Sequence, residues 1–189
     1  ELGAEHLLLP SEELDLPEFV SNSADRCYVC KKNRFGRMAQ LATERGFNWV
    51  VDGTNYDDHS DYRPGMKAIG ELGVRTPLSE ARLSKSEIRS LSRQLGLPTW
   101  NKASYACLAS RIPYGTPITA DRLRQVDACE EFVRGLGLAQ QVRVRHYGDM
   151  ARIEVDEKSI AGFTEYTARK KLMDYFKKKL FKKTLFAYI

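Results

Sequence analysis

Asn48-Trp49-Val50-Val51-Asp52-Gly53-Thr54-Asn55-Tyr56-Asp57-Asp58 is the stretch that decides the fold class. A short apolar run ending in a polar loop is what a parallel-sheet strand buried on both faces carries. The loop at its carboxyl end is rich in acids, and open α/β sheets bind their ligands there. Upstream, His6–Leu9 reads as another short buried strand, ended by Pro10. A helix is predicted from Asp25 to about Arg45, with Phe35, Met38, Leu41 and Ala42 on one face and Gly46 as its C-cap. Downstream, Met66–Leu72 reads as a turn or two of helix. Ser84-Lys85-Ser86-Glu87 is a capping-box pattern, and Ile88, Leu91 and Leu95 follow on one face before Gly96. Residues 1–98 therefore read as an α/β unit with a parallel sheet.

From residue 99 the character changes. Trp100–Gly115 reads as loop. Thr119 caps a helix to about Gly135, with Leu123, Val126, Phe132 and Val133 inward. Val142–Tyr147 and Ala151–Val155 alternate with period two about Gly148-Asp149, which predicts an antiparallel hairpin. A short helix over Asp156–Phe163 and a basic amphipathic helix over Tyr166–Lys183 complete a smaller α+β unit, residues 99–189.

The net charge of +5 comes from one segment. Arg169 to Lys183 holds eight basic residues against Asp174; without them the remaining 22 basic and 24 acidic side chains leave a slightly acidic chain. A solvated helix face explains the basic tail, and nucleic acid is not the expected partner. No apolar run approaches the ~20 residues of a membrane span, and no charged-then-apolar leader opens the chain. The expectation is a cytoplasmic protein with no membrane partner.

Four cysteines are present: Cys27, Cys30, Cys107 and Cys129. With no export signal, structural disulfides are not expected. Cys27-x-x-Cys30 is the spacing of metal sites and redox pairs, placed where a helix N-terminus favours thiolates. Cys107 opens the run Cys107-Leu108-Ala109-Ser110-Arg111-Ile112-Pro113-Tyr114-Gly115. An Arg near a Cys favours the thiolate, so Arg111 marks this loop for sulfur or metal chemistry near an anion. Cys129 lies in a helical pattern and reads as packing. Structural zinc, with His59 or Cys129 as fourth ligand, an iron–sulfur cluster and free thiols all remain open on this spacing.

Asp52, Asp57, Asp58 and Asp61 crowd the first loop, and carboxylates at a strand end suit magnesium and nucleotide phosphates. Arg63, stiffened by Pro64, is placed to meet a phosphate. Arg143 and Arg145 share one face of the predicted hairpin, which suits a phosphate or carboxylate. Glu154 on the partner strand is their salt-bridge mate or a substrate contact.

Taken together, Val51–Gly65, Leu83–Arg89, Cys107–Gly115, Val142–Arg145 and Ala151–Glu154 resemble the LarE family, ATP-dependent sulfur transferases of the PP-loop pyrophosphatase superfamily. The resemblance covers most of residues 1–165. It implies a partial adenine-nucleotide alpha hydrolase-like, Rossmann-like parallel sheet followed by the smaller α+β domain. It also implies that ATP with Mg2+ adenylates a carboxylate of a pyridinium dicarboxylate mononucleotide, and that sulfur then displaces AMP. The thiocarboxylate product belongs to the nickel-pincer nucleotide cofactor of lactate racemase. One branch of the family gives up the sulfur of a Cys at the Cys107 position; another holds a 4Fe-4S cluster on three cysteines, and Cys27, Cys30 and Cys107 resemble that branch. Carried over, Cys107 and Glu154 are the catalytic residues, Ser110, Arg111, Arg143 and Arg145 bind substrate, and Asp58 and Arg63 border the nucleotide. A homo-oligomer is expected.

The family's Ser-Gly-Gly-x-Asp-Ser loop is absent, so the chain reads as truncated at its N-terminus. By itself it is not expected to turn over ATP, because no Gly-rich loop at a helix N-terminus cradles pyrophosphate. Rival readings are a tRNA thiolation enzyme or amidating synthetase of the same superfamily, and a zinc-stapled nucleic-acid-binding domain.

Overall fold

The computed structural model describes residues 3–60, 63–102 and 105–188; Asp61 and Tyr62 of the acid-rich loop lie outside the described residues. Eight helices are present among them: α1 (Pro17–Val20), α2 (Arg26–Glu44), α3 (Gly65–Glu71), α4 (Pro77–Glu80), α5 (Lys85–Gln94), α6 (Ala120–Gly135), α7 (Ile160–Thr164) and α8 (Tyr166–Lys178). The strands are β1 (Val142–Tyr147), β2 (Met150–Val155) and β3 (Lys183–Tyr188), in the spatial order β1-β2-β3. The chain is mixed α/β.

β1 and β2 form the expected antiparallel hairpin, with Arg143 opposite Glu154 and Arg145 opposite Arg152. Gly148 takes φ +66 at the first position of the two-residue turn, the conformation this tight connection needs. Val142, Val144, Ala151, Ile153 and Val155 are buried on one sheet face, and α6 and α8 cover it with Val126, Cys129, Val133, Leu172 and Phe176. Burying each large aliphatic or aromatic side chain contributes about 1.5–3 kcal/mol before entropy is charged. The arginines and Glu154 occupy the opposite face.

The basic helix ends earlier than its charge pattern predicts. It stops at Lys178, Leu180 turns the chain at φ +67, and Lys183–Tyr188 runs as β3 parallel to β2. The lysines continue past the helix end, whereas Leu185, Phe186 and Tyr188 carry strand preference. Backbone N–H groups of Lys182 and Lys183 donate to the Asp149 carbonyl and hold the new strand against the hairpin turn.

The parallel sheet expected in residues 1–98 does not form among the described residues. Asn48–Asp52 makes a single parallel bridge, Val51 with Arg75. Trp49 is 63% exposed and Val51 59%; a strand run buries its side chains only when neighbours flank it on both faces, and here one residue does. His6–Leu9 is not a strand either, and its leucines are exposed or half-exposed. Three of the five helices described in this half match: α2, α3 and α5 stand where they are expected, and Ser84 and Glu87 close a reciprocal capping box on α5, whereas the four-residue α1 and α4 are not expected from the sequence.

The second-half core extends into the first thirty residues. Phe19 belongs to it, and Leu16, Val29 and Cys30 pack against it. This brings the start of α2 to the Cys107 loop.

Candidate functional site

Cys107 is exposed and precedes a 3-10 turn, Leu108–Arg111. The Ser110 N–H donates to the Cys107 carbonyl at 2.9 Å, and Ala109 and Ile112 anchor the turn in the core. Two arginines hold adjacent carbonyls of this turn: Arg26 of α2 donates to Ala109 O at 3.1 Å, and Arg145 of β1 donates to Ser110 O at 3.1 Å. The loop is therefore strapped between the helix that carries Cys27 and Cys30 and the strand that carries Arg143 and Arg145.

The three thiols line one cavity of about 660 Å³, together with Arg26, Phe35 and Met38. Cys27 and Cys30 are three apart in the first turn of α2 and so share one helix face. Burial pushes the Cys30 thiol above its ordinary range, Arg34 opposes this, and the charges of Cys107 and Cys27 add to the rise. The thiols are thus within electrostatic reach of one another. Among the described residues, no three His, Cys, Asp or Glu side chains gather closely enough to hold a single metal ion. His59 hydrogen-bonds Ser79 at 2.6 Å. Cys129 is fully buried under the sheet, where burial raises its thiol to about 12.

Arg111 does not occupy the place its sequence position suggests. It is 3% exposed and forked onto Glu130 of α6, Nε to Oε1 at 2.6 Å and Nη2 to Oε2 at 3.3 Å. Glu130 also accepts from Arg134 at 3.2 Å and from the Val144 backbone N–H at 2.9 Å. Arg111 thus locks the loop to α6, and its charge is matched by a buried carboxylate. Arg26, Arg34 and Arg37 all line the thiol cavity; Arg34 and Arg37 pair with Glu13 and Glu12, which leaves the guanidinium of Arg26. It is buried, and among the described residues it has no carboxylate partner: its contacts are Asn22 Oδ1, Ala109 O and the Tyr114 ring, 5.2 Å to the centroid. A buried cation with neutral partners favours an anion beside it.

The outer sheet face forms the second half of the site. Glu154 is buried, and its Oε1 accepts from Arg145 Nε at 2.8 Å and Arg152 Nη2 at 2.6 Å. Its Oε2 is buried without a hydrogen-bond partner among the described residues. Burial raises the Glu154 carboxyl, but hydrogen bonds from Arg145 and Arg152 outweigh that and hold it below the ordinary range. Arg143, on the same face and opposite Glu154, is half-buried and has no ion pair or hydrogen bond among the described residues. Three arginines around one carboxylate leave this face cationic, with one guanidinium uncommitted.

The acid-rich loop is organised mainly around its own backbone. Asp52 accepts from the Thr54 N–H and hydroxyl at 2.9 and 2.8 Å, and Asp57 caps α5 through the Lys85 N–H at 2.9 Å. Asp58 pairs with Arg63 at 2.8 Å and accepts from the Asn55 N–H at 3.1 Å. Gly65 follows where α3 crosses α2. A Cβ there would lie 2.7 Å from Lys31 Cδ and 3.3 Å from the Cys27 carbonyl, so only glycine allows the approach. This crossing joins the Asp58–Arg63 loop to the helix turn that bears Cys27.

Comparison with known proteins adds to this geometry. Over 169 residues, 89% of its length, the chain is 40% identical to the pyridinium-3,5-bisthiocarboxylic acid mononucleotide synthase of Lactiplantibacillus plantarum. It is also 41% identical over 175 residues, 93% of its length, to an uncharacterized protein of Synechocystis, and 29% identical over 156 residues, 82%, to one of Methanocaldococcus jannaschii. The matches take in 65%, 61% and 61% of these proteins in the order Synechocystis, Lactiplantibacillus, Methanocaldococcus. The chain thus spans a little under two thirds of the relatives it matches. No protein-family model matches it.

Four residues of the site escaped the sequence reading: Asn22, Arg26, Glu130 and Arg152. Arg26 had a signal, since it directly precedes Cys27 at the start of the predicted helix. Arg152 follows from the alternation that selected Arg143 and Arg145. Asn22 and Glu130 had none, because the loop and strand partners that give them their place lie 90 or more and 14–19 residues away.

Proposed function

We propose that this chain is part of an ATP-dependent sulfur transferase that converts a carboxylate of pyridinium-3,5-dicarboxylate mononucleotide to a thiocarboxylate. The observation that carries this reading is the 40% identity to the Lactiplantibacillus synthase over 89% of the chain. The geometry supports it. The Cys107 turn meets the thiol cavity on one side and the cationic sheet face, through Ser110 and Arg145, on the other.

In the reaction, a substrate carboxylate oxygen attacks the α-phosphorus of ATP and pyrophosphate leaves. A sulfur nucleophile then forms a bond to the acyl carbon as the bond to AMP breaks. Arg143 takes the substrate phosphate or free carboxylate, for which its uncommitted guanidinium is suited. Arg145 is held by Glu154 and Ser110 O, so it orients the loop while contributing charge. Asp58 and Arg63 would stand on the nucleotide side, where Mg2+ would supply charge neutralisation for the phosphates of ATP.

Cys27, Cys30 and Cys107 suit a group larger than a single ion: they surround one open cavity without converging, and the buried Arg26 beside them favours an anionic occupant. A four-iron cluster on these thiolates would supply sulfide from its open iron. Neither His59 nor Cys129 lines this cavity, and the one carboxylate that does among the described residues, the buried Glu13, is already paired with Arg34 at 2.6 Å, which disfavours zinc.

The test is made with the full-length protein, ATP, Mg2+ and the dicarboxylate mononucleotide, with the product read by mass spectrometry. Thiocarboxylate formation with pyrophosphate release is expected. Arg143→Ala should raise KM roughly tenfold or more, the loss of one charge-assisted hydrogen bond of about 1.5–3 kcal/mol. A product without sulfur would sink the reading. Intact mass separates the sulfur sources: a chain lighter by one molecule of hydrogen sulfide after turnover identifies Cys107 as donor, and an unchanged chain identifies the cluster.

A further inference from the structure

Asn22 is fully buried, polar, and carries φ +57, a conformation that asparagine tolerates better than other branched or bulky residues. A buried polar side chain in a rare backbone conformation persists when its surroundings demand it. Here each of its hydrogen-bonding groups is used. Its side-chain NH2 donates to Pro113 O at 2.7 Å and Thr116 O at 2.8 Å, with Ile112 O at 3.4 Å. Its backbone carbonyl accepts from the Gly115 N–H at 3.0 Å, and its Oδ1 accepts from Arg26 Nη1. Gly115 takes φ +77, which lets the loop turn its N–H toward Asn22. The neighbouring Val20 carbonyl accepts from the Ile118 N–H at 2.9 Å.

Arg26 completes the arrangement. From the first position of α2, its Nη1 reaches both Asn22 Oδ1 and Ala109 O, two residues beyond Cys107. Its guanidinium lies over the Tyr114 ring. The next residue along α2 is Cys27. Asn22 and Arg26 thus fix both ends of the 109–116 segment to the helix start that presents the Cys27–Cys30 pair.

We propose that Asn22 and Arg26 are positioning residues: a buried latch that sets the placement of Cys107 relative to Cys27 and Cys30. What the thiols do rests on the sulfur-transfer reading; the latch itself is a statement about their spacing and is tested without turnover. Neither residue need touch substrate. Arg111 and Arg145 hold the Cys107 loop to α6 and β1, so without the latch it is the start of α2, with its Cys pair, that shifts relative to Cys107, which lowers the encounter rate of the thiols.

The experiment uses the full chain in two backgrounds, Cys27→Ser and Cys30→Ser, each leaving one partner for Cys107. A short bis-maleimide crosslinks the thiols, and peptide mass spectrometry reads the rate of the Cys107 product. Cys129 is buried and stays unmodified. Asn22→Gly adopts the same φ without strain and keeps the backbone carbonyl, so it removes the side-chain hydrogen bonds alone. Arg26→Lys keeps the charge, but its shorter side chain lacks the planar guanidinium that places Nη1 between Asn22 Oδ1 and Ala109 O over the Tyr114 ring. Both are expected to slow crosslinking by roughly fivefold or more, the factor that one to two buried hydrogen bonds supply. Thermal unfolding should remain a single cooperative transition, and the alkylation rate of Cys107 by a monofunctional maleimide should stay within about twofold. Crosslinking at the unaltered rate in Asn22→Gly overturns the proposal. So does loss of cooperative unfolding in that variant, which would make Asn22 a determinant of folding and not of thiol placement. Failure of thiocarboxylate synthesis in the intact enzyme, with crosslinking slowed as expected, would overturn the sulfur-transfer reading and leave the latch standing.

Discussion

Two strand-forming segments of similar apolar content have opposite fates in this chain. Val142–Tyr147 becomes β1 and buries Val142 and Val144 under α6, while Asn48–Asp52 makes one bridge and leaves Trp49 and Val51 in contact with solvent. The hairpin supplies its own partner strand two residues away, so its cost in chain entropy is small. A parallel strand must borrow its neighbours from distant segments. Strand propensity alone does not bury a strand; the partner does.

The contrast predicts a graded set of responses. The largest belongs to the charge pair that ties the Cys107 loop to the hairpin unit. Glu130→Gln leaves Arg111 buried without its carboxylate, and urea unfolding should show a loss of about 3–5 kcal/mol. Phe176→Ala, which opens a cavity between α8 and the sheet, should cost a similar ~3–5 kcal/mol in the same assay. An equally large loss from Trp49→Ser would break the comparison, because that residue is expected to contribute within about 0.5 kcal/mol.

An intermediate effect is set by pH. The Glu154 carboxyl is depressed from its ordinary value of 4.5 by Arg145 and Arg152 against the opposing pull of burial. Its contribution is complete above about pH 4.5 and is lost as pH falls through the lower folded value. Stability of the native chain should therefore decline below about pH 4.5 more steeply than that of Glu154→Gln, measured by thermal melts across roughly pH 2–6. The smallest structural effect is at the α5 cap: Ser84→Ala should cost about 1 kcal/mol, since the first half depends on such local devices. The comparison also extends to the thiols. At about pH 8 an alkylating reagent should label Cys107 first and Cys129 last, because Cys129 sits under the sheet with its thiol raised to about 12; early labelling of Cys129 would mean that the sheet core opens.

The candidate site was legible where its signals are local. The alternation Val142-Arg143-Val144-Arg145 placed two arginines on one face, and the strand pairing keeps them there beside Glu154. The capping box at Ser84 and the cap at Thr119 are both formed. Legibility failed where a charge has a choice of partners. Four residues of separation put Arg111 next to Cys107 on paper, yet the 3-10 turn swings its side chain inward to Glu130. The buried cation at the thiol cavity is Arg26, eighty-one residues before Cys107.

The sequence by itself determined the longer helices α2, α5 and α6 and the hairpin, because period, caps and the Gly148 turn act within a few residues. It also determined which thiols and arginines were available. Tertiary structure alone decided which of them meet. Burial converted Arg111 into a structural ion pair, brought Asn22 and Arg26 to the Cys107 loop, and drew Lys183–Tyr188 into the sheet beside β2. Each of these depends on desolvation and long-range hydrogen bonding, and those energies exist only once distant segments have packed.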